Sequence, residues 1–325
     1  MMKKGTVVAY EQFELEPLPK FEYKVNASAN AVVNGDQVQL CSPDAVYTFD
    51  KTTGALTSVL YRGKEFLAQA MKPTFWRAPT DNDRGNQHPN RCAVWRRAAN
   101  SWKIESCDVN DATVTFKGVL PEIQANLNVT YTLVEKGALR VSMEYKKTGS
   151  NGVPEMPRFG MEFALLPGFE QLEWFGRGPE ESYCDKKNGM KFGLWKKTVA
   201  DNYFDYSEPG EVGNHTDVVA AAIANAADKK TLHIVAQSGW DGKPLFEFNA
   251  LHYSTADLQS AKHTYQLPGG YKGRPETFVN IDLRQQGVGG DDSWGARTHA
   301  EFTNTGKEYS FSFVLAPGVD SPLDK

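Results

Sequence analysis

The segment ANLNVTYTLVEKGALRVSMEYKK, residues 125–147, limits the fold more than any other stretch of the chain. Apolar side chains take alternate positions at Leu127, Val129, Tyr131 and Leu133. The pattern stops at Glu135-Lys136-Gly137 and resumes at Leu139, Val141, Met143 and Tyr145. Successive side chains of a strand point to opposite faces, so a period of two on both sides of a glycine-bearing turn predicts an antiparallel hairpin with one buried face. AVYTFD (45–50) and ALTSVLYRG (55–63), joined by KTTG, predict a second hairpin. Further strand patterns stand at 111–118, 158–166, 172–176, 217–225, 231–237, 245–250, 277–285 and 307–317. So many strands exclude a doubly wound α/β fold and predict an all-β protein of packed antiparallel sheets.

One or two short surface helices fit beside the sheets. RCAVWRRAANSW (91–102) places Val94, Trp95, Ala98, Ala99 and Trp102 on one helical face, with Arg96 and Arg97 opposite. STADLQSAKH (254–263) opens on Ser254 with Asp257 three residues on, a capping box with aspartate in the usual place of glutamate or glutamine.

The 325 residues carry 36 basic and 40 acidic side chains, a net charge of −4, with a mean hydropathy of −0.50. Binding to nucleic acid or an anionic membrane needs a basic face, so neither is an expected partner. No apolar run approaches the roughly 20 residues that span a bilayer, and the opening MMKKGTVVAYEQFELEP has no signal-peptide core. The compartment stays open between cytoplasm and periplasm. Cys41, Cys92, Cys107 and Cys184 form no CxxC pair and read as reduced thiols.

Two stretches stand out for recognition chemistry. PTFWRAPTDNDRGN (73–86) crowds aromatics, arginines and aspartates together without a strand or helix period. Asp81, Asn82, Asp83 and Gly85 alternate oxygen ligands as a calcium loop does, but glycine is fifth where an EF-hand has it sixth, and no glutamate stands at position twelve. Asx turns are the expected form. GVGGDDSWG (287–295) holds Trp294 on a glycine-flanked loop, either folded over the core or presented as a flat apolar plate suited to a sugar ring. WFGRGPEESY (174–183) has a GxG but no βαβ context for a dinucleotide. The carboxylate pairs Asp81/Asp83, Glu180/Glu181 and Asp291/Asp292 are sequence neighbours, which cannot flank a glycosidic bond at the roughly 5–5.5 Å of a retaining pair. None of the six histidines has metal-ligand spacing.

The loops PTFWRAPTDNDRG, MPRFGMEF, WFGRGPEESYCD, PGEVGNHTDV and GVGGDDSWG, in this order, resemble the C-terminal domain, or small chain, of family 2 β-galactosidases. The resemblance implies a large antiparallel super-sandwich of galactose mutarotase type over 31–317. Residues 1–30 would then be the end of a preceding β-sandwich and its linker, and 318–325 a loose tail. It implies no catalytic residue and no metal in this chain. The catalytic glutamates and Mg2+ would lie in a barrel outside it, either the same chain or a large subunit of an oligomeric enzyme. Alone the chain is expected to be inactive, completing a galactoside pocket for lactose-type substrates. Trp294 matches the sugar-lining tryptophan, and Gly85 the hinge of a loop beside it, flanked by Arg84 and Asn86. Arg77, Asp81, Asp83, Asp291 and Asp292 would brace the loops.

This sequence departs from the family pattern at Cys184 and Lys186, in NQHPNRCA after Gly85, and in the missing aromatic after HTDV. A free-standing carbohydrate-binding module or aldose 1-epimerase is the alternative, for which His215, His233 and Glu162 can be nominated as acid and base without motif support.

Overall fold

A computed structural model describes residues 3, 5–292 and 295–318. Nearly all of the regular structure is β, in two large sheets whose strands pair antiparallel throughout. The first sheet starts at the edge strand Asn30–Asn34 and runs through Gln37–Cys41, Ala45–Asp50, Leu56–Tyr61, Leu67–Thr74, Arg158–Leu165, Thr277–Gln285 and Phe246–Leu251 to His215–Val218. A short strand, Lys64–Glu65, pairs with Leu56–Tyr61 off this path. The second runs from Lys191–Thr198 through Gln171–Gly178, Ala220–Asn225, Lys230–Ser238, Glu308–Gly318, Leu139–Lys147, Ala125–Leu133 and Thr113–Leu120 to Lys103–Asn110.

The alternating segment forms the hairpin its period predicts. Leu139 pairs with Leu133, Val141 with Tyr131, Met143 with Val129 and Tyr145 with Leu127, and all eight side chains are buried. From the first sheet Phe49 meets Tyr131 at a ring separation of 4.6 Å, so the core is the layer between the sheets. Each buried side chain of this size removes enough apolar surface from water to contribute about 1.5–3 kcal/mol.

The 217–225 segment, expected as one strand, is two. His215–Val218 belongs to the first sheet and Ala220–Asn225 to the second. Between them the chain changes layers, with Asp217 in the left-handed region at φ +53°. Its carboxylate is held by Arg177 and by Lys187 at 2.8 Å, fixing a conformation a non-glycine residue rarely takes.

Four short α-helices stand among the described residues, two more than expected. α1 (Asp81–Gly85) lies in the stretch where turns were expected, and α2 (His88–Arg91) follows it in NQHPNRCA. The reason is local: Thr80 Oγ1 accepts from the Asp83 amide at 3.2 Å while Asp83 Oδ2 accepts from the Thr80 amide at 3.1 Å, a capping box. A helix of five residues is too short to display a period. α3 (Ala93–Ala98) buries Trp95 and Ala98 and exposes Arg96 and Arg97, and α4 (Thr255–Ser260) carries the Ser254–Asp257 box. Residues 5–24 form no strand; an isolated bridge joins Val25 to Val134.

Candidate functional site

The chain leaves the Leu67–Thr74 strand at the sheet's end and passes directly into Arg77, which is fully buried. Its Nε and Nη2 donate to Asp83 Oδ2 and Oδ1 at 3.1 and 2.9 Å. Nη1 donates to the Gln286 carbonyl, and Nη2 also to that of Gly287 at 2.9 Å. A planar guanidinium suits this two-sided task because its donors form a fixed fork. Burial raises the Asp83 carboxyl, but the facing Arg77 charge, together with the hydrogen bonds from Arg77 and the Thr80 amide, holds the group below the ordinary carboxylate range. Thus a sequence-local pair in 77–83 also holds the start of the glycine-rich loop, about 210 residues away.

Further contacts join the same two segments. Asn82 Nδ2 donates to the Val288 carbonyl at 2.9 Å. Gly295, at φ +148°, lies so close to α1 that a Cβ there would stand 2.7 Å from the Gly85 carbonyl oxygen. Asp292 Oδ1 accepts from the amides of Gly295 and Ala296 at 3.1 and 3.0 Å, turning the loop back on itself. Asp185 Oδ2 accepts from the Gly289 amide at 2.7 Å, bringing in a third segment.

The remaining nominated residues are placed as follows. Gly85 closes α1 in helical conformation. Arg84 pairs with Asp81 at 3.2 Å and with Glu208 at 3.2 Å, and donates to the Pro209 carbonyl at 2.7 Å. The Asn86 side-chain oxygen accepts from Arg91 at 3.0 Å. Asp291 is exposed and bonds His299 at 2.8 Å. Trp294 lies outside the described residues. Among the described residues no group of three or more His, Cys, Asp or Glu is arranged to hold a metal ion.

Beside α1 opens a cleft of about 230 Å3, lined by Asp81 and Asn82, the turn at Glu181–Lys186, the 206–211 loop and Val288. Its floor belongs to a buried polar network. Arg158 donates to Asp282, Asn280 and Glu211 at 3.1, 3.0 and 3.1 Å, and Glu211 Oε1 also accepts from Asn249 and Gln285 at 3.0 Å each. With two carboxylates sharing one guanidinium, burial pushes Asp282 up to about 7. Glu247, bonded to Asn214 and to the Gln285 amide at 3.1 Å each, is pushed up by burial to about 8. Glu247 also borders a larger cleft of about 840 Å3, one wall of which is the exposed 10–20 segment.

Sequence reasoning missed Asp185, Arg158, Glu211 and Glu247. Each belongs to a motif, YCD, MPRFG, PGE or LFEFNA, but an isolated charge beside an apolar run gives no sign of which distant strand it will meet. The histidines nominated as acid or base do not suit that role. His215 is buried, stacked on Trp174 at 4.0 Å and bonded to Asn202, and burial pushes it down to about 3. His233 is buried within a strand of the other sheet, and Glu162 pairs with Lys72 at 3.3 Å.

The family described as beta galactosidase small chain matches residues 42–315. The chain belongs to this family. Among relatives of the chain, the β-galactosidase of Priestia megaterium is 36% identical over 321 residues, 96% of this chain and 30% of that protein. The β-galactosidase small subunit of Latilactobacillus sakei is 31% identical over 297 residues, 82% of this chain and 91% of that one. The chain therefore spans about 30% of the length of the first relative and nearly all of the second. A solved aldose epimerase homologue from C. elegans covers 89% of this chain at 10% identity with a TM-score of 0.45.

Proposed function

We propose that the chain is the non-catalytic portion of a family 2 β-galactosidase and supplies one wall of its galactoside pocket, while glutamates and Mg2+ in a catalytic barrel outside the chain carry out retaining hydrolysis. The observation that supports this reading most is the joining of α1 to the glycine-rich loop through buried Arg77 and the Gly85–Gly295 contact. Sugar recognition needs side chains held within fractions of an ångström, and a rigid frame behind two loops provides that. In this reading Trp294 presents its ring to the galactose, with Gly85 and Asn86 bordering it. Arg84, with Asp81 and Glu208 as partners, acts through the shape of the rim.

Three measurements test the proposal. The purified chain should leave a chromogenic β-galactoside intact, and adding the catalytic portion should produce hydrolysis; turnover by the chain alone would refute it. In the assembled enzyme Trp294→Ala should raise KM for the galactoside about tenfold or more, the loss of one large ring contact. An unchanged KM would remove Trp294 from the site. Mutarotation of galactose by the isolated chain would instead favour the epimerase alternative.

A further inference from the structure

Outward from the α1 cleft the surface carries an unusual set of exposed rings: Phe204, Tyr206, Tyr265 and Tyr271 are 60%, 37%, 64% and 69% exposed. Phe204, Tyr206 and Tyr265 stand on two segments that are tied together, and Tyr271 follows the second. Thr264 Oγ1 bonds the Tyr203 hydroxyl at 2.9 Å and donates to Asp205, so the 203–206 and 263–266 segments hold a fixed spacing. Within each segment the rings are paired: Phe204 with Tyr206 at 4.7 Å, and His263 stacked on Tyr265 at 5.3 Å. Tyr206 also lines the cleft itself and donates its hydroxyl to Glu181 there, which makes the ring set continuous with the cleft.

We propose that the cleft and these rings form a subsite for saccharide units beyond the galactose, so that the chain binds β-galactosyl oligosaccharides more tightly than galactose itself. Flat rings offer the C–H faces of pyranoses a large contact area at little entropic cost. The cleft supplies the hydroxyl partners: the Asp81, Lys186 and Glu208 side chains that edge it are 68%, 51% and 37% exposed. A protein-docking surface would be expected to be depleted of charge at its centre, whereas this cleft has a single aliphatic side chain, Val288, among carboxylates, an amide, a lysine and phenols. The rings of each pair pack against one another, which lowers the ordering cost of binding. The location of the subsite rests on the galactoside reading of the adjoining loops, but its affinity for longer saccharides can be read separately.

The test is calorimetric titration of the 325-residue chain with galactose, lactose and a linear β-galactosyl tetrasaccharide. Affinity should rise with length, and Phe204→Ala/Tyr265→Ala should weaken the tetrasaccharide about tenfold while leaving galactose unchanged. Phe204→Trp, which keeps a ring, should retain the length preference. Equal affinity for all three sugars, no binding of any, or a length preference that survives the double alanine variant would overturn the subsite. So would a finding that Phe204 and Tyr265 become protected from hydroxyl-radical labelling only when the catalytic portion is added, the mark of a protein interface. The wider galactoside reading fails on a different result, an unchanged KM in Trp294→Ala enzyme, so the two failures are separable.

Discussion

Arg77 shows how one residue can set the geometry of a site it does not touch. It is buried with Asp83 and donates to carbonyls of the glycine-rich loop. Removing one partner of a buried pair leaves the other charge without compensation, a larger loss than the pair's net contribution. Arg77→Ala is therefore expected to lower unfolding free energy by about 3–5 kcal/mol in urea denaturation. Replacing both partners by Arg77→Met/Asp83→Leu should recover much of it. A loss under about 1 kcal/mol in the single variant would mean that the Asn82–Val288 and Gly85–Gly295 contacts hold the loops together without Arg77. The pair was legible in sequence only as crowding: Arg77 and Asp83 are close in the chain, but their partners Gln286 and Gly287 are not.

At the scale of elements, α1 exists because of its cap. The Thr80–Asp83 box satisfies two amides that a five-residue helix would otherwise leave unpaired, and Asp83 is the same residue that meets Arg77. Thr80→Ala should cost about 1 kcal/mol, and Thr80→Ser should restore it, as read from denaturation midpoints. If the alanine variant were as stable as the parent, the Arg77–Asp83 bond alone would be holding the helix. The Ser254–Asp257 box of α4 is the same device and was read in advance from the three-residue spacing of Ser254 and Asp257. The same spacing at Thr80 and Asp83 stands among aspartates and an asparagine in a stretch without period, which is why turns were expected there. The 217–225 segment failed for a related reason. Its apolar run is continuous across Val218 and Val219, both buried, and nothing in a uniformly apolar pattern marks where the chain passes from one sheet to the other.

Across the whole molecule, the strands Arg158–Leu165, Phe246–Leu251 and Thr277–Gln285 carry buried polar side chains that meet Glu211 and Asn214 of the 202–214 segment, and this has a consequence for pH. Glu247 holds its proton up to about pH 8 in the folded chain, against an ordinary value of 4.5. Between those limits the folded state binds a proton at Glu247 that the unfolded state has released, so the contribution of this group to stability falls as pH rises from about 5 to 8 and levels off above. Asp282, pushed up to about 7, acts in the same direction. Below about pH 6.5 His88 and His215, which burial pushes down to about 4 and about 3, act in the opposite direction, so melting temperature should decline chiefly from about pH 6.5 to 8, and Glu247→Gln, which keeps an acceptor for Asn214 and the Gln285 amide, should flatten that decline without abolishing it. An identical slope in parent and variant would show that Glu247 is ionised when folded.

Periodicity by itself determined the all-β class, the 125–147 hairpin and two of the four helices, because side-chain alternation, helical faces and capping are properties of neighbouring residues. The five loop motifs identified the β-galactosidase family. The tertiary structure decided which of those loops meet. Buried charges find partners by distance in space: Arg77 reaches Gly287, Asp185 reaches Gly289, and Arg158 holds Asp282 and Glu211 from separate parts of the chain. Desolvation makes such partnerships obligatory, but only the folded sheets determine which residues form them.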